Sequence, residues 1–187
     1  MINSQDIKIG TCIRMDGKLY FCIDFLHVKP GNGNTIMRTK LKSVTDGRVL
    51  ERRFNIGEKL EDVRVERRPY QYSYMEGEDY HFLNQETWED VIIQKEVISG
   101  VDFLKEGTIC DVVFDASTET VLFAETPIKM QLKVTYTEPG VKGDTATNTL
   151  KPATVETGVE VRVPLFINEG EIIEVNTSDG TYTGRVR

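Results

Sequence analysis

The chain has 187 residues, 39% of them hydrophobic and 28% charged, which predicts a globular protein and excludes a disordered or membrane-spanning one. Its length exceeds one small domain and allows two or three. The net charge of −7 argues against a general nucleic-acid binder, yet it is unevenly spread: residues 1–64 carry 12 Lys/Arg against 8 Asp/Glu, a net of +4, and the remainder carries −11. No apolar run approaches bilayer length, and the start, Met1 to Asp6, lacks the basic and apolar regions of a signal peptide, so a cytoplasmic protein is expected. Cys12, Cys22 and Cys110 are an odd set with no Cys-x-x-Cys spacing, and they read as buried, reduced thiols.

In chain order, the first module reads as all-β. Met15-Asp16-Gly17-Lys18 is a tight turn between Lys8–Arg14 and a strand from Leu19 to Val28. A second turn, Thr45-Asp46-Gly47-Arg48, joins strands at Thr35–Val44 and Val49–Ile56. Strands at this spacing predict a small barrel, with Lys40, Lys42, Arg48, Arg52 and Arg53 giving it a basic surface. Between Val28 and Thr35 lies Lys29-Pro30-Gly31-Asn32-Gly33-Asn34. Pro30-Gly31 fits a type II turn and Asn32-Gly33 a type I′ turn, so the hairpin is expected to end in a projecting tip loop, 27–34. That tip is either an ordinary hairpin end or a presented functional element.

A boundary is expected near residue 65. Tyr70, Tyr72, Tyr74, Tyr80 and Phe82 then alternate about the turn Glu76-Gly77-Glu78-Asp79. Such aromatics can stack on bases, but the acidic surroundings favour a sheet core. Trp88–Ile93 reads as a third strand, and Lys95–Lys105 fits a short helix weakened by Gly100. Thr108–Phe114 and Thr120–Glu125 complete five strands, the pattern of an OB-fold. After Thr126-Pro127 come strands at Ile128–Thr135, Gly158–Val163, Glu171–Asn176 and Thr181–Val186, with a long loop at Glu138–Leu150; these predict a second barrel of similar size. The expected domains are 1–65, 66–127 and 128–187.

No catalytic constellation is visible. His27 and His81 fall in different modules, no His/Cys cluster has metal spacing, and neither a P-loop nor a Gly-x-Ser-x-Gly motif occurs. His27 reads as a stem residue. The expectation is a non-enzyme that needs no cofactor, no metal and no small-molecule substrate.

The run from Lys151 to Gly170, KPATVETGVEVRVPLFINEG, resembles the C-terminal signature of the elongation factor P family at every fixed position. Pro139-Gly140-Val141-Lys142-Gly143-Asp144-Thr145 before it is similar to that family's third-domain loop, and the module order resembles the family across the chain. The resemblance implies a fold of three small barrels, an N-terminal KOW/SH3-like domain followed by two OB-fold domains. It implies a monomeric translation factor bound to both ribosomal subunits beside the peptidyl-tRNA, relieving stalls at consecutive prolines. Lys29, Pro30, Gly31, Asn32, Gly33 and Asn34 would form the tip that faces the tRNA acceptor end. Gly143, Asp144 and Thr145 would face the small subunit, and Tyr182 and Arg185 the small subunit or the peptidyl-tRNA. Many members carry a modified Lys or Arg where this chain has Asn32, so the tip is expected to be unmodified, with Lys29 supplying charge. Two other readings stay open: a divergent paralogue serving other stalling sequences, and a generic OB-type single-strand RNA binder.

Overall fold

Alternation along one strand sets the first sheet. In β4 (Ile36–Ser43), Met37, Thr39, Leu41 and Ser43 are buried while Arg38, Lys40 and Lys42 are exposed, as a pleat with one face on a core requires. The structure is a computed structural model that describes residues 1–31, 33–140 and 149–186. With β1 (Ile2–Asn3), β2 (Cys12–Met15), β3 (Lys18–Val28), β5 (Val49–Asn55) and β6 (Lys59–Asp62), β4 forms a sheet of order β1-β6-β2-β3-β4-β5. Asp16 and Gly17 both take left-handed φ, 52° and 75°, and close the β2–β3 hairpin as the sequence requires. Ile7, Ile13, Tyr20, Cys22, Met37, Leu41 and Phe54 fill the core. In this sheet β1 and β6 escape sequence reading, because two and four residues carry too little periodicity.

The second sheet has the order β10-β12-β11-β7-β8-β9. Its strands are β7 (Val65–Glu76), β8 (Asp79–Leu83), β9 (Asp90–Gln94), β10 (Ile98–Ser99), β11 (Ile109–Asp115) and β12 (Thr120–Glu125). Tyr70, Tyr80 and Phe82 are buried, with Tyr72 against Tyr80 and Phe82 at ring separations of 5.7 and 5.5 Å, so these aromatics build the sheet core. Tyr74 departs from the alternation. A register shift between Tyr72 and Tyr74 turns it to the opposite face, where it pairs with His81. The expected helix at 95–105 is absent. Two 3-10 turns, Lys95–Val97 and Val101–Phe103, flank β10, which pairs in parallel with β12. Gly100 separates them in a left-handed conformation (φ 70°), which no α-helix continues.

The third sheet contains β13 (Lys129–Thr137), β14 (Leu150–Val155), β15 (Glu160–Pro164), β16 (Ile172–Asn176) and β17 (Thr181–Arg185), in the order β15-β14-β13-β16-β17. Its core of Leu132, Val134, Val155, Val163, Ile167 and Ile173 also takes in Phe103 from the second 3-10 turn. Lys105 fastens the same segment: its Nζ donates to the Gln131 carbonyl (2.8 Å) and to Glu156 Oε1 (3.2 Å). Two glycines with left-handed φ, Gly100 and Gly180, sit where an added side chain would also crowd this approach. A Cβ at Gly100 would lie 3.1 Å from Thr177 and 3.2 Å from Thr126, and one at Gly180 would lie 3.3 Å from the Phe103 ring.

Contacts gather into two compact units. The first comprises Met1–Arg68 and Val112–Phe123. Within it the Arg68 guanidinium lies 4.6 Å from the Phe114 ring centroid and pairs with Glu66 and Glu119, both at 2.9 Å. The second comprises Pro69–Asp111 and Ala124–Arg187. All three cysteines are free and buried. Burial pushes the Cys12 thiol up to about 11 and the Cys110 thiol up to about 12, and it raises Cys22 as well. The thiolate is the reactive form. A disulfide reagent at neutral pH is therefore expected to leave the folded chain unlabelled and to titrate three thiols after denaturation; rapid labelling of the native protein would contradict this packing.

Candidate functional site

Strands β3 and β4 stay in register as far as Val28 opposite Ile36, so the sheet itself delivers the ends of the tip side by side. Residues 29–35 bridge them. Lys29, Pro30, Gly31, Gly33 and Asn34 are all exposed. Gly31 has no left-handed φ, so the expected type II turn at Pro30-Gly31 is not formed. A connection of seven residues is long enough that no single residue has to supply the chain reversal. A Cβ at Gly33 would lie 3.4 Å from Pro30 Cγ, an ordinary van der Waals contact. Asn32, and with it the Asn32-Gly33 turn, lies outside the described residues. His27 is exposed in the stem, its ring edge-on to Phe25 at 6.3 Å, in keeping with a stem role.

Below the tip, the outer face of β4 is basic, but part of that charge is already neutralised. Arg38 donates to Glu51 from Nη2 (2.6 Å) and Nε (3.2 Å), and the pairing holds the Glu51 carboxyl below the usual carboxylate range. Lys40 pairs with Asp24 at 3.3 Å and Arg48 with Asp46 at 3.7 Å. Among the described residues Lys29, Lys42, Arg52 and Arg53 form no ion pair, which leaves these side chains open to phosphate. Arg38 joins the cations expected from the sequence. Its i, i+2 spacing with Lys40 and Lys42 was the available signal.

The other candidates lie in the second unit. Tyr182 is half-buried against the third-sheet core. Arg185 pairs with Glu171 at 3.3 Å and lies 5.8 Å from the centre of the Phe166 ring. Gly143, Asp144 and Thr145 lie outside the described residues. A cleft of about 900 Å³ is walled by the Gly100–Phe103 turn, Arg162, Asp179 and Tyr182. Among the described residues no three His, Cys, Asp or Glu side chains cluster to hold a metal, and no helix is long and apolar enough to cross a membrane. What the tip can do chemically is present a rigidly based, exposed loop with a cation at its root.

Residues 3–60 match the family model described as Elongation factor P (EF-P) KOW-like domain. Residues 65–120 match the Elongation factor P (EF-P) OB domain, and residues 130–185 match Elongation factor P, C-terminal. The chain is 79% identical to a Parabacteroides distasonis protein named Elongation factor P, 75% identical to one from Bacteroides fragilis and 48% identical to one from Flavobacterium johnsoniae; each match covers the whole of both chains. Among solved structures it is similar in fold to eukaryotic translation initiation factor 5A from Methanococcus jannaschii, with a TM-score of 0.50 and 18% identity over 66% of this chain and 92% of that one. A translation initiation factor eIF-5A family protein from Naegleria fowleri gives 0.51 and 14% over 66% and 95%. These two likenesses concern the fold alone.

Proposed function

Because the chain belongs to the elongation factor P family, we propose that this translation elongation factor binds the ribosome beside the peptidyl-tRNA and speeds peptide bond formation at consecutive prolines. The observation that carries the reading is the exposed tip of the β3–β4 hairpin, at the position where the resemblance puts the family's tRNA-facing element. The tip faces the acceptor end and holds the tRNA and nascent chain in an attack-competent geometry, so the gain is entropic and the ribosome performs the chemistry. No cofactor, metal or active site of its own is required. Lys29, Lys42, Arg52 and Arg53 meet phosphate, while the acidic remainder discourages binding to free RNA. The three sheets and the three family-model matches support a division at 1–65, 66–127 and 128–187. In the last module Gly143, Asp144, Thr145, Tyr182 and Arg185 face the small subunit or the tRNA. The factor acts in the cytoplasm as a monomer with an unmodified Asn32.

The test is synthesis of a peptide with consecutive prolines in a purified translation system that lacks any modifying enzyme, with and without the recombinant protein. Relief of the stall is expected, and it would show that an Asn32 tip suffices. Ribosome binding without relief would favour the second reading, a paralogue for other stalling sequences, which the asparagine at the tip supports. Absence of ribosome binding would overturn both.

A further inference from the structure

Hydrogen-bond register fixes which residues share the outer face of β7, β8 and β9. Tyr74 pairs with His81 and His81 with Ile92, giving one row. Glu76, Asp79 and Gln94 form the row on one side, and Leu83 with Asp90 lies on the other. Opposed residues and their i±2 neighbours point the same way, so this face is an apolar strip with carboxylates at both borders.

The strip is built rather than incidental. The Tyr74 ring stacks on the His81 imidazole at 4.2 Å and 11° between planes. His81 is buried beneath it and faces Asp90, with Nδ1 3.2 Å from Oδ2. Tyr74 is thus fixed from below yet 54% exposed, as is Ile92. It reaches this face only through the register shift after Tyr72.

Charge decides what such a face can take. In OB barrels that hold oligonucleotides, the second and third strands offer aromatic platforms inside a basic groove. Here residues 69–94 contain six Asp/Glu and no Lys or Arg. A phosphate on this face would meet Glu76, Asp79 and Asp90, whereas the cations nearest in sequence, Arg68 and Lys95, lie outside these rows. A guanidinium is favoured on both counts: it is attracted to an aromatic face within about 6 Å, and it pairs with carboxylates. Gln94 donates to Asp79 Oδ1 and His81 faces Asp90 Oδ2, so each aspartate keeps a second oxygen.

We propose that the β7–β9 face docks a Lys/Arg-rich protein segment, with an arginine seated on the Tyr74 ring. The proposal rests on the ribosomal reading only for where such a segment is met.

The full-length protein is titrated with a synthetic Arg-Gly repeat peptide and, separately, with oligouridylate of equal length, and amide NMR shifts are followed. Peptide-induced shifts centred on β7–β9 are expected. Tyr74→Leu should weaken peptide binding about two- to fivefold, the size of an exposed cation–π contact. Tyr74→Phe keeps the ring and should restore the wild-type value. The pair Glu76→Gln and Asp79→Asn should weaken binding further and flatten its salt dependence, whereas Glu169→Gln, in the third barrel, should not. Wild-type affinity in Tyr74→Leu, or oligouridylate shifts on the same residues, would overturn the proposal. On purified ribosomes, a photo-crosslinker in place of Ile92 should capture a ribosomal protein, and capture of ribosomal RNA would count against the proposal. Failure to sediment with ribosomes would strike the ribosomal function alone, because the peptide titration decides the face by itself.

Discussion

Replacing residues 29–35 by a two-residue Asn-Gly turn is expected to remove the stimulation of synthesis through consecutive prolines, a loss of about 10- to 100-fold in the stalled step. Thermal unfolding and sedimentation with ribosomes should stay near wild type. The reasoning starts from the hairpin. Every described residue from 29 to 34 is exposed, Thr35 is half-buried and accepts one long backbone bond from Ile56 N–H (3.4 Å), and Val28 and Ile36 are already paired, so the deletion takes little from the core. Asn-Gly supplies the two left-handed residues that a tight hairpin turn needs. What disappears is reach. Catalysis by positioning depends on atoms held within about an ångström, and a shortened loop holds nothing at the acceptor end. Full activity in the shortened chain would refute the role given to the tip.

Phe103→Ala is expected to destabilise the protein by about 3–5 kcal/mol in denaturant unfolding, the cost of emptying a large aromatic from a packed interior. Phe103 is 7% exposed and sits among Met130, Leu132, Val134 and Ile173 although it comes from a turn outside the third sheet. Gly180 lies against the ring in a left-handed conformation and has no side chain with which to fill the space left behind. A change below about 1 kcal/mol would show that the ring does not belong to that core.

Such examples show which features a sequence discloses. The β2–β3 turn was legible because Asp16-Gly17 names its own backbone conformation. The hairpin tip was legible as a position but not as a shape: Pro30-Gly31 has the chemistry of a type II turn, yet a seven-residue loop does not have to use it. Tyr74 shares the alternation of the core aromatics, because a register shift leaves no mark on the sequence. β14 was missed where Pro152 interrupts its strand pattern. The ladder to β13 ends with Thr137 opposite Ala153, so Pro152 lies past it and pairs only toward β15. Residues 95–105 carried helical spacing, and Gly100 together with the parallel pairing of β10 overrode it.

The composition of the first unit also has a consequence for biosynthesis. Residues 112–123 belong to it, although the rest of it is complete at Arg68. A growing chain therefore displays an almost finished basic barrel, tip included, while some fifty further residues are being made. At about 5–20 residues per second that interval lasts about 3–11 s. Through it Phe21 lacks Phe123, and Arg68 lacks both Phe114 and Glu119. The first part of the chain to be synthesised is thus among the last to be finished, and slow decoding between residues 69 and 123 would lengthen the time it spends open to proteases and chaperones.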